Sequence, residues 1–406
     1  MATGQSSIGP RLSAMMFLEF FVWGAWYVTV GNYMKTVGML DQIYWAYTVG
    51  PIAAIVSPFF LGMIADRFFA TQRVLGVMHI LGGAAIFAAP LFEKQPEIFI
   101  ILLLVHMLCY MPTIGLANTL AFHTMTNAEK QFPIIRVFGT LGWIVAGIVV
   151  SKVLEADTKP LPLQIAGVAG ILMGLYSFTL PNTPPASAGK KIDVRQILGL
   201  DALGQLSSVA FWVFILSSLL ICIPLSAYYA YAPVFADAAK LENPGFKMSF
   251  GQMSEVFFML IMPICFARLG VKWMLAVGML AWVVRYGLFA AGATDGVMWM
   301  IVGGILLHGV CYDFFFVTGY IYVDKKASPE IRGQAQGFVV LVTLGIGMLI
   351  GSIISGKIFN SIVGANGGLK EWRQFWAIPA IGAAAILVLF VLLFRDKSVD
   401  SAPIKH

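Results

Sequence analysis

Gly62-Met63-Ile64-Ala65-Asp66-Arg67, followed by Arg73, fills the short gap between two long apolar runs. Arg268-Leu269-Gly270-Val271-Lys272 fills a similar gap about 200 residues later. Each is a tight, charged turn between hydrophobic segments, and the spacing suggests that the chain is built twice. A second pair agrees: Arg136 opens one apolar run and Arg332 opens another, 196 residues on.

Working outward, the 406 residues are 59% hydrophobic and only 11% charged, where a soluble domain carries roughly 25% charged residues. A membrane-spanning helix needs about 20 mostly apolar residues. Spans are predicted over 12–34, 42–65, 73–92, 97–122, 132–152, 162–180, 208–234, 248–267, 272–291, 296–323, 332–356 and 373–394. The fold class is therefore all-α and polytopic, with twelve transmembrane helices. The longest gap, 181–207, opens Pro181-Asn182-Thr183-Pro184-Pro185 and then carries Lys190, Lys191 and Arg195. Such a run is a linker. It divides the chain into a six-helix bundle over 1–180, a linker over 181–207, and a second bundle with a short tail over 208–406.

An even span count puts both termini on one side. Sixteen of the 26 Lys and Arg fall on the termini's side, nine on the other, and Arg285 lies within a span. The positive-inside rule makes the termini and the linker cytoplasmic. The net charge of +6 follows this topology and forms no patch for nucleic acid. Cys109, Cys222, Cys265 and Cys311 all lie in apolar runs and read as reduced packing residues. Gly351-x4-Gly356-Lys357 mimics a phosphate loop, but Ile358 stands where Ser or Thr is required. Gly347-x3-Gly351 and Gly170-x3-Gly174 instead suit close helix packing. No metal-ligand cluster and no hydrolase elbow is visible, so neither an enzyme nor a cofactor is expected.

Five charged residues lie inside the apolar runs: Glu19, Arg136, Glu255, Arg285 and Asp313. Charge at membrane depth is costly and marks a substrate or ion pathway. The first function class is transport.

The Gly62-to-Arg73 stretch resembles the loop 2–3 signature of the major facilitator superfamily, in which Asp66, Arg67 and Arg73 would staple helix ends as a conformational gate. A closer resemblance is to the nucleoside:proton symporter family. It rests on Phe17-Leu18-Glu19-Phe20-Phe21-Val22-Trp23-Gly24-Ala25-Trp26, Tyr110-Met111-Pro112-Thr113-Ile114-Gly115-Leu116-Ala117-Asn118-Thr119, Phe132-Pro133-Ile134-Ile135-Arg136-Val137-Phe138-Gly139-Thr140-Leu141-Gly142-Trp143, Leu198-Gly199-Leu200-Asp201-Ala202 and Tyr312-Asp313-Phe314-Phe315. These motifs cover essentially the whole chain. Glu19 and Tyr320-Ile321-Tyr322-Val323-Asp324-Lys325-Lys326 look most like a bacterial branch of that family.

The resemblance implies proton-coupled nucleoside uptake across the bacterial cytoplasmic (inner) membrane by alternating access. It implies a monomer in the lipid bilayer, with a midplane cavity lined by spans 1, 4, 5, 7, 8 and 10. A major facilitator transporter of a sugar or nucleobase is the alternative. Uptake of labelled uridine, adenosine and sugars, with and without a proton gradient, separates the two.

Desolvation disfavours the charged form of a carboxyl, so Asp313 in mid-span is a natural proton carrier, with Glu255 and Glu19 as further candidates. His308 joins this group; five residues before Asp313, it lies about 140° away around the helix and need not touch it. Gln252 and Glu255, spaced i, i+3, share a face and offer polar contacts to a nucleoside. Arg136, Thr140 and Trp143, spaced i, i+4, i+7, form a second stripe: guanidinium, hydroxyl and stacking ring. Glu19, Trp23 and Trp26 form a third. Tyr312 adjoins Asp313. Asn118 serves either the cavity or a helix contact. His79 and His106 show no partner and are expected to pack; Arg285 is expected to be structural. Nucleoside-transporting members of the family carry amides midway along span 7. Here Leu225-Ser226-Ala227-Tyr228-Tyr229 offers Tyr228 instead.

Single cysteines placed at 189 and 243 in a chain lacking the native four test the topology. In intact cells an impermeant thiol reagent should label position 243 alone; labelling of 189 alone would invert the model.

Overall fold

The computed structural model describes residues 8–61, 68–185, 200–328 and 331–396, and all regular structure among them is helical. The chain forms two compact units: Met1–Ile192 with Asn243–Ser249, and Asp193–Glu242 with Phe250–His406.

In the first unit the helices are α1 (Ile8–Tyr27), α2 (Val30–Thr36), α3 (Ile43–Phe60), α4 (Thr71–Ala88), α5 (Pro96–Thr124), α6 (Ala128–Gly147) and α7 (Leu161–Ser177). Then come α8 (Leu200–Leu206), α9 (Val209–Ala238), α10 (Pro244–Ala293), α11 (Met298–Leu306), α12 (His308–Tyr312), α13 (Thr318–Lys326), α14 (Arg332–Val340), α15 (Met348–Ile362) and α16 (Leu369–Leu393). A wider π-helical turn, Asp313–Val317, joins α12 to α13. Others cover Ile148–Val153 and Leu341–Gly347.

Ten helical stretches among the described residues are long and apolar enough to cross a membrane. The predicted sixth span corresponds to the shorter α7, of 17 residues. The predicted eighth and ninth spans run together as α10, turned only at Gly270 (φ 67°, ψ 178°), a conformation that essentially glycine alone adopts. Asp66 and Arg67 lie outside the described residues; Arg73 stands exposed in the first turn of α4.

Many large apolar side chains face outward, among them Leu91, Leu172, Leu260, Ile381 and Leu392. Water would not tolerate so many; lipid does. Lipid in turn gives helices no hydrophobic reason to associate, so close packing must hold them together. In the first unit α1 packs along α6, and α4 along α7. The glycine pattern noted in the sequence lines the second contact: a Cβ on Gly174 would sit 2.7 Å from the Gly76 carbonyl oxygen. Gly351 does the same for α15, where a Cβ would lie 2.8 Å from Ile223 Cα on α9. In the second unit α9 packs on α15 and α16, and Tyr231, Phe235, Phe359, Trp372, Phe375 and Trp376 interlock there as stacked and edge-on rings. Tyr322 and Lys326 of α13 both hold Asp396, at 2.8 and 2.5 Å.

The α1–α6 seam is the tightest place that bears on function. A Cβ on Gly24 would lie 2.9 Å from Trp143 Cα, and one on Gly142 would run into the Phe17 carbonyl oxygen. Gly142→Ala should therefore destabilise the detergent-purified protein by about 1–3 kcal/mol, the usual cost of overpacking, read as a lowered melting temperature. Gly382→Ala, at a position with open space around it, should leave that temperature unchanged.

Candidate functional site

The first unit gathers its functional side chains along the α1–α6 seam. Trp23 of α1 and Trp143 of α6 meet edge to face, 5.4 Å between centroids. Tyr110 of α5 packs on Trp23 at 5.6 Å, and Tyr27 adds a fourth ring. Trp23 and Trp143 are half-buried, and the Trp23 indole N–H has no hydrogen-bond partner. Arg136, Thr140 and Trp143, the stripe read from the sequence, are all half-buried on α6. The Arg136 guanidinium lies over the Phe20 ring, 4.1 Å from its centre. Asn118 is half-buried on α5.

One turn before Trp23, Glu19 is fully buried. Its Oε2 lies 2.8 Å from His79 Nε2 on α4, and its Oε1 2.6 Å from the Thr113 hydroxyl on α5. Tyr110 donates to the Glu19 backbone carbonyl at 2.7 Å. His79 is thus no mere packing residue, which corrects the sequence expectation. A buried carboxylate demands a partner, and pairing the ionisable residues of different spans with one another would have found it. His106 does pack, against Tyr110 and Trp26. Its Nδ1–H donates to the Gly82 carbonyl at 2.9 Å.

The second unit holds the other cluster. Asp313 is fully buried at the start of its π-helical turn, and neither carboxylate oxygen has a hydrogen-bond partner. π-helical turns recur at functional sites because they re-aim side chains out of the regular helical register. Asp313 and His308 are not bonded to each other. His308 is instead held by Arg285, whose Nη2 lies 3.1 Å from His308 Nδ1. A guanidinium only donates, so Nδ1 accepts and the ring's proton sits on Nε2. That atom faces Glu255 Oε2 at 4.0 Å. While Arg285 donates, His308 has no free nitrogen for a second proton. Its part here is to present an N–H towards Glu255.

Arg285 itself is fully buried, with its guanidinium carbon 4.0 Å from the Tyr228 ring centre. Tyr228 stacks on His308 at 5.4 Å, and Tyr312 packs on the same imidazole at 5.7 Å. Arg285 is therefore part of this cluster. Its place inside an apolar run is the signal in the sequence that points to it. Gln252 and Glu255 are half-buried on α10, and Gln252 Oε1 is buried without a partner. Close approach makes the cluster possible: a Cβ on Gly309 would lie 2.5 Å from the Ser254 backbone.

Among the described residues, the first unit offers rings for stacking, and the second an unsatisfied amide oxygen and a buried carboxyl without a hydrogen-bond partner. The model of the nucleoside H+ symporter family matches residues 6–399. YegT, a candidate nucleoside transporter of Escherichia coli (strain K12), is 40% identical over 97% of this chain and 96% of its own. Xanthosine permease of the same organism is 32% identical over 98% of this chain and 99% of its own. The crystal structure of the nucleoside transporter NupG superposes with a TM-score of 0.86 at 29% identity, covering 96% of this chain and all of that one.

Proposed function

The chain belongs to the nucleoside H+ symporter family, and from that premise we propose how its residues take up a nucleoside with protons. It is a membrane transporter of the major facilitator fold, not an enzyme, and its activity is proton-coupled nucleoside uptake. Our reading adds twelve spans in two six-helix bundles, a monomer in the cytoplasmic membrane, both termini inside, and alternating access.

Asp313 carries the coupled proton in this reading. The observation that supports it is the buried carboxyl with two unpartnered oxygens. An ionised carboxylate without hydrogen bonds is hard to keep in a low-dielectric interior. A protonated one is tolerated, so loading and release of the proton carry a large energetic consequence. Glu255, beside the His308 N–H, is the reserve and a substrate contact. Trp143 and Trp23 supply stacking faces for the base. Gln252 supplies its unsatisfied amide, and Arg136 and Thr140 supply donors. Tyr228, Tyr312 and Asn118 complete the proposed substrate set. Asp66, Arg67 and Arg73 are proposed as the gate.

Gln252→Ala and Trp143→Ala should each weaken nucleoside binding about ten-fold or more while the protein stays folded, since stacking on an aromatic is worth about 1–3 kcal/mol per base. Calorimetric titration of the purified protein with uridine and adenosine checks this. Unchanged dissociation constants in both would remove these faces from the site.

Asp313→Asn holds the neutral form permanently. It should abolish accumulation against a concentration gradient under an imposed pH difference, yet keep equilibrium binding and substrate exchange. Full accumulation by this variant would move the proton to Glu255.

A further inference from the structure

We infer that Asp157 is a positioning residue: it clasps the opening of α10 to the first unit, and this clasp opens in each transport cycle so that Gln252 and Glu255 can move. The inference rests on the alternating access and the substrate roles of Gln252 and Glu255 proposed above, and it adds the contact that controls them.

α10 divides its packing. Its opening residues, Asn243–Ser249, group with the first unit, while Phe250 onwards belongs to the second. The helix does not break at that changeover: from Pro244 to Ala293, the residue with non-helical dihedrals is Gly270. On the far side of the changeover the Ser254 hydroxyl accepts from the Gly309 N–H at 3.0 Å, and a Cβ on Gly251 would lie 3.0 Å from His308 Cβ. Gln252 and Glu255 stand within two turns of the changeover. Whatever holds the first turns of α10 therefore sets where these two side chains stand.

The hold from the first unit is close and polar. Ser151, in the π-helical turn that follows α6, donates to Asp157 Oδ2 at 2.7 Å, and the Gly245 N–H points to the same oxygen at 3.4 Å. Asp157 and Ser151 are both buried. Pro244 opens α10 without an N–H, and the first turn of α10 carries no acidic residue of its own. Asp157 supplies from outside the negative charge that a helix N-terminus favours. Two glycines set the approach. A Cβ on Gly245 would lie 2.6 Å from Asp157 Oδ1, and one on Gly147 would run into the Ser249 hydroxyl oxygen. Lys152 lies over the Phe246 ring, 4.9 Å from its centre.

Backbone strain marks the same place independently. Among the described residues the non-glycine residues with left-handed backbone are Glu155 (φ 47°), Lys240 (φ 60°) and Asn243 (φ 49°). Glu155 lies between Ser151 and Asp157, and the other two lead into α10. Strained residues of this kind collect in switch regions, where surrounding contacts hold them.

Alternating access cannot leave a continuous helix fixed at both of its holds. Breaking α10 between Ser249 and Phe250 would leave backbone groups unpaired at a buried position. Opening the clasp instead frees a carboxylate, a hydroxyl and glycine backbone, all groups that water solvates well. The charge bias of the loops assigns both segments to the outer side, where water is at hand. The clasp is the part that yields.

The test is a lock. In the full chain with its four native cysteines replaced, Lys152→Cys and Phe246→Cys are joined by a short, reducible bis-thiol reagent, and joining is read by mass spectrometry. In proteoliposomes the joined protein should lose uptake of tritiated uridine and adenosine, and dithiothreitol should restore it. Uptake by the joined protein at the reduced protein's rate overturns the clasp, because a contact that stays closed tolerates the lock. A second measurement needs no transport. A single cysteine at Ser249, a buried position, should react slowly with an impermeant thiol reagent in the purified protein. Asp157→Ala should speed that reaction about ten-fold, the change that about 1.4 kcal/mol of lost hold produces, with the protein still folded. Gly245→Ala, whose Cβ would press on Asp157, should do the same and stands in if Asp157→Ala does not fold. An unchanged rate in the folded variant overturns the role of Asp157. If the reduced protein takes up neither nucleoside, the proposed function fails, while the Ser249 reaction rates still decide the clasp.

Discussion

A polar atom inside a bilayer has no water to bond with, and the whole molecule answers that constraint. The backbone answers by being helical wherever it is described as regular, since a helix satisfies its own N–H and C=O groups. The side chains answer in three different ways. Glu19 has a partner for each oxygen. Arg285 leans on an imidazole and a tyrosine ring and leaves Nε and Nη1 without partners. Asp313 has no partner at all. A purely structural role would have driven all three towards complete pairing, because an unpaired buried group costs stability and returns nothing. The gradient runs from full pairing at Glu19 through partial pairing at Arg285 to none at Asp313, and our reading of Asp313 as the proton carrier rests on that last member.

Small residues decide where those answers can be built. Lipid supplies no hydrophobic pressure between helices, so contact distance sets what can meet. Gly24 and Gly142 draw α1 onto α6, and this close seam is what brings Trp23 to Trp143. Gly251 and Gly309 do the equivalent between α10 and α12, where a Cβ on Gly251 would lie 3.0 Å from His308 Cβ. That approach sets the imidazole within 4.0 Å of Glu255. Both clusters therefore rest on glycine-lined helix contacts, and a bulkier residue there would force the paired helices apart.

The sequence exposed the elements far better than their partnerships. Apolar runs are long, and charges inside them are rare, so the spans and the intramembrane residues Glu19, Glu255 and Asp313 could be read directly. Faces were legible too, because i, i+3 and i+4 spacing is a property of the helix alone. Contacts across helices were not. Glu19 and His79 lie 60 residues apart, and nothing local links them. Arg285 and His308 are separated by 23 residues and a turn. The break at Gly270 was legible as a charged gap, but not as a single residue turning an otherwise continuous 50-residue helix. What failed was the step from one-dimensional pattern to pairing, which only the packing of whole helices determines.

Tyr228 shows how that step alters chemistry. Read along the chain, it stands where nucleoside-transporting relatives of the sequence resemblance carry amides, and a tyrosine can replace an amide through its hydroxyl or its ring. The structure has already committed the ring, to Arg285, to His308 at 5.4 Å and to Phe289 at 6.4 Å. Only the hydroxyl is left, buried and without a hydrogen-bond partner. An amide carries two donors on one atom and an acceptor on another; this hydroxyl donates and accepts at a single oxygen. The position can thus meet a donor or an acceptor, but from one atom it cannot bracket a donor–acceptor edge as an amide does. In the proposed substrate set, the two-atom amide edge is instead supplied by Gln252, whose amide oxygen is likewise buried and unpaired. On the proposed reading, selectivity rests on fewer polar groups than an amide-bearing span 7 would provide.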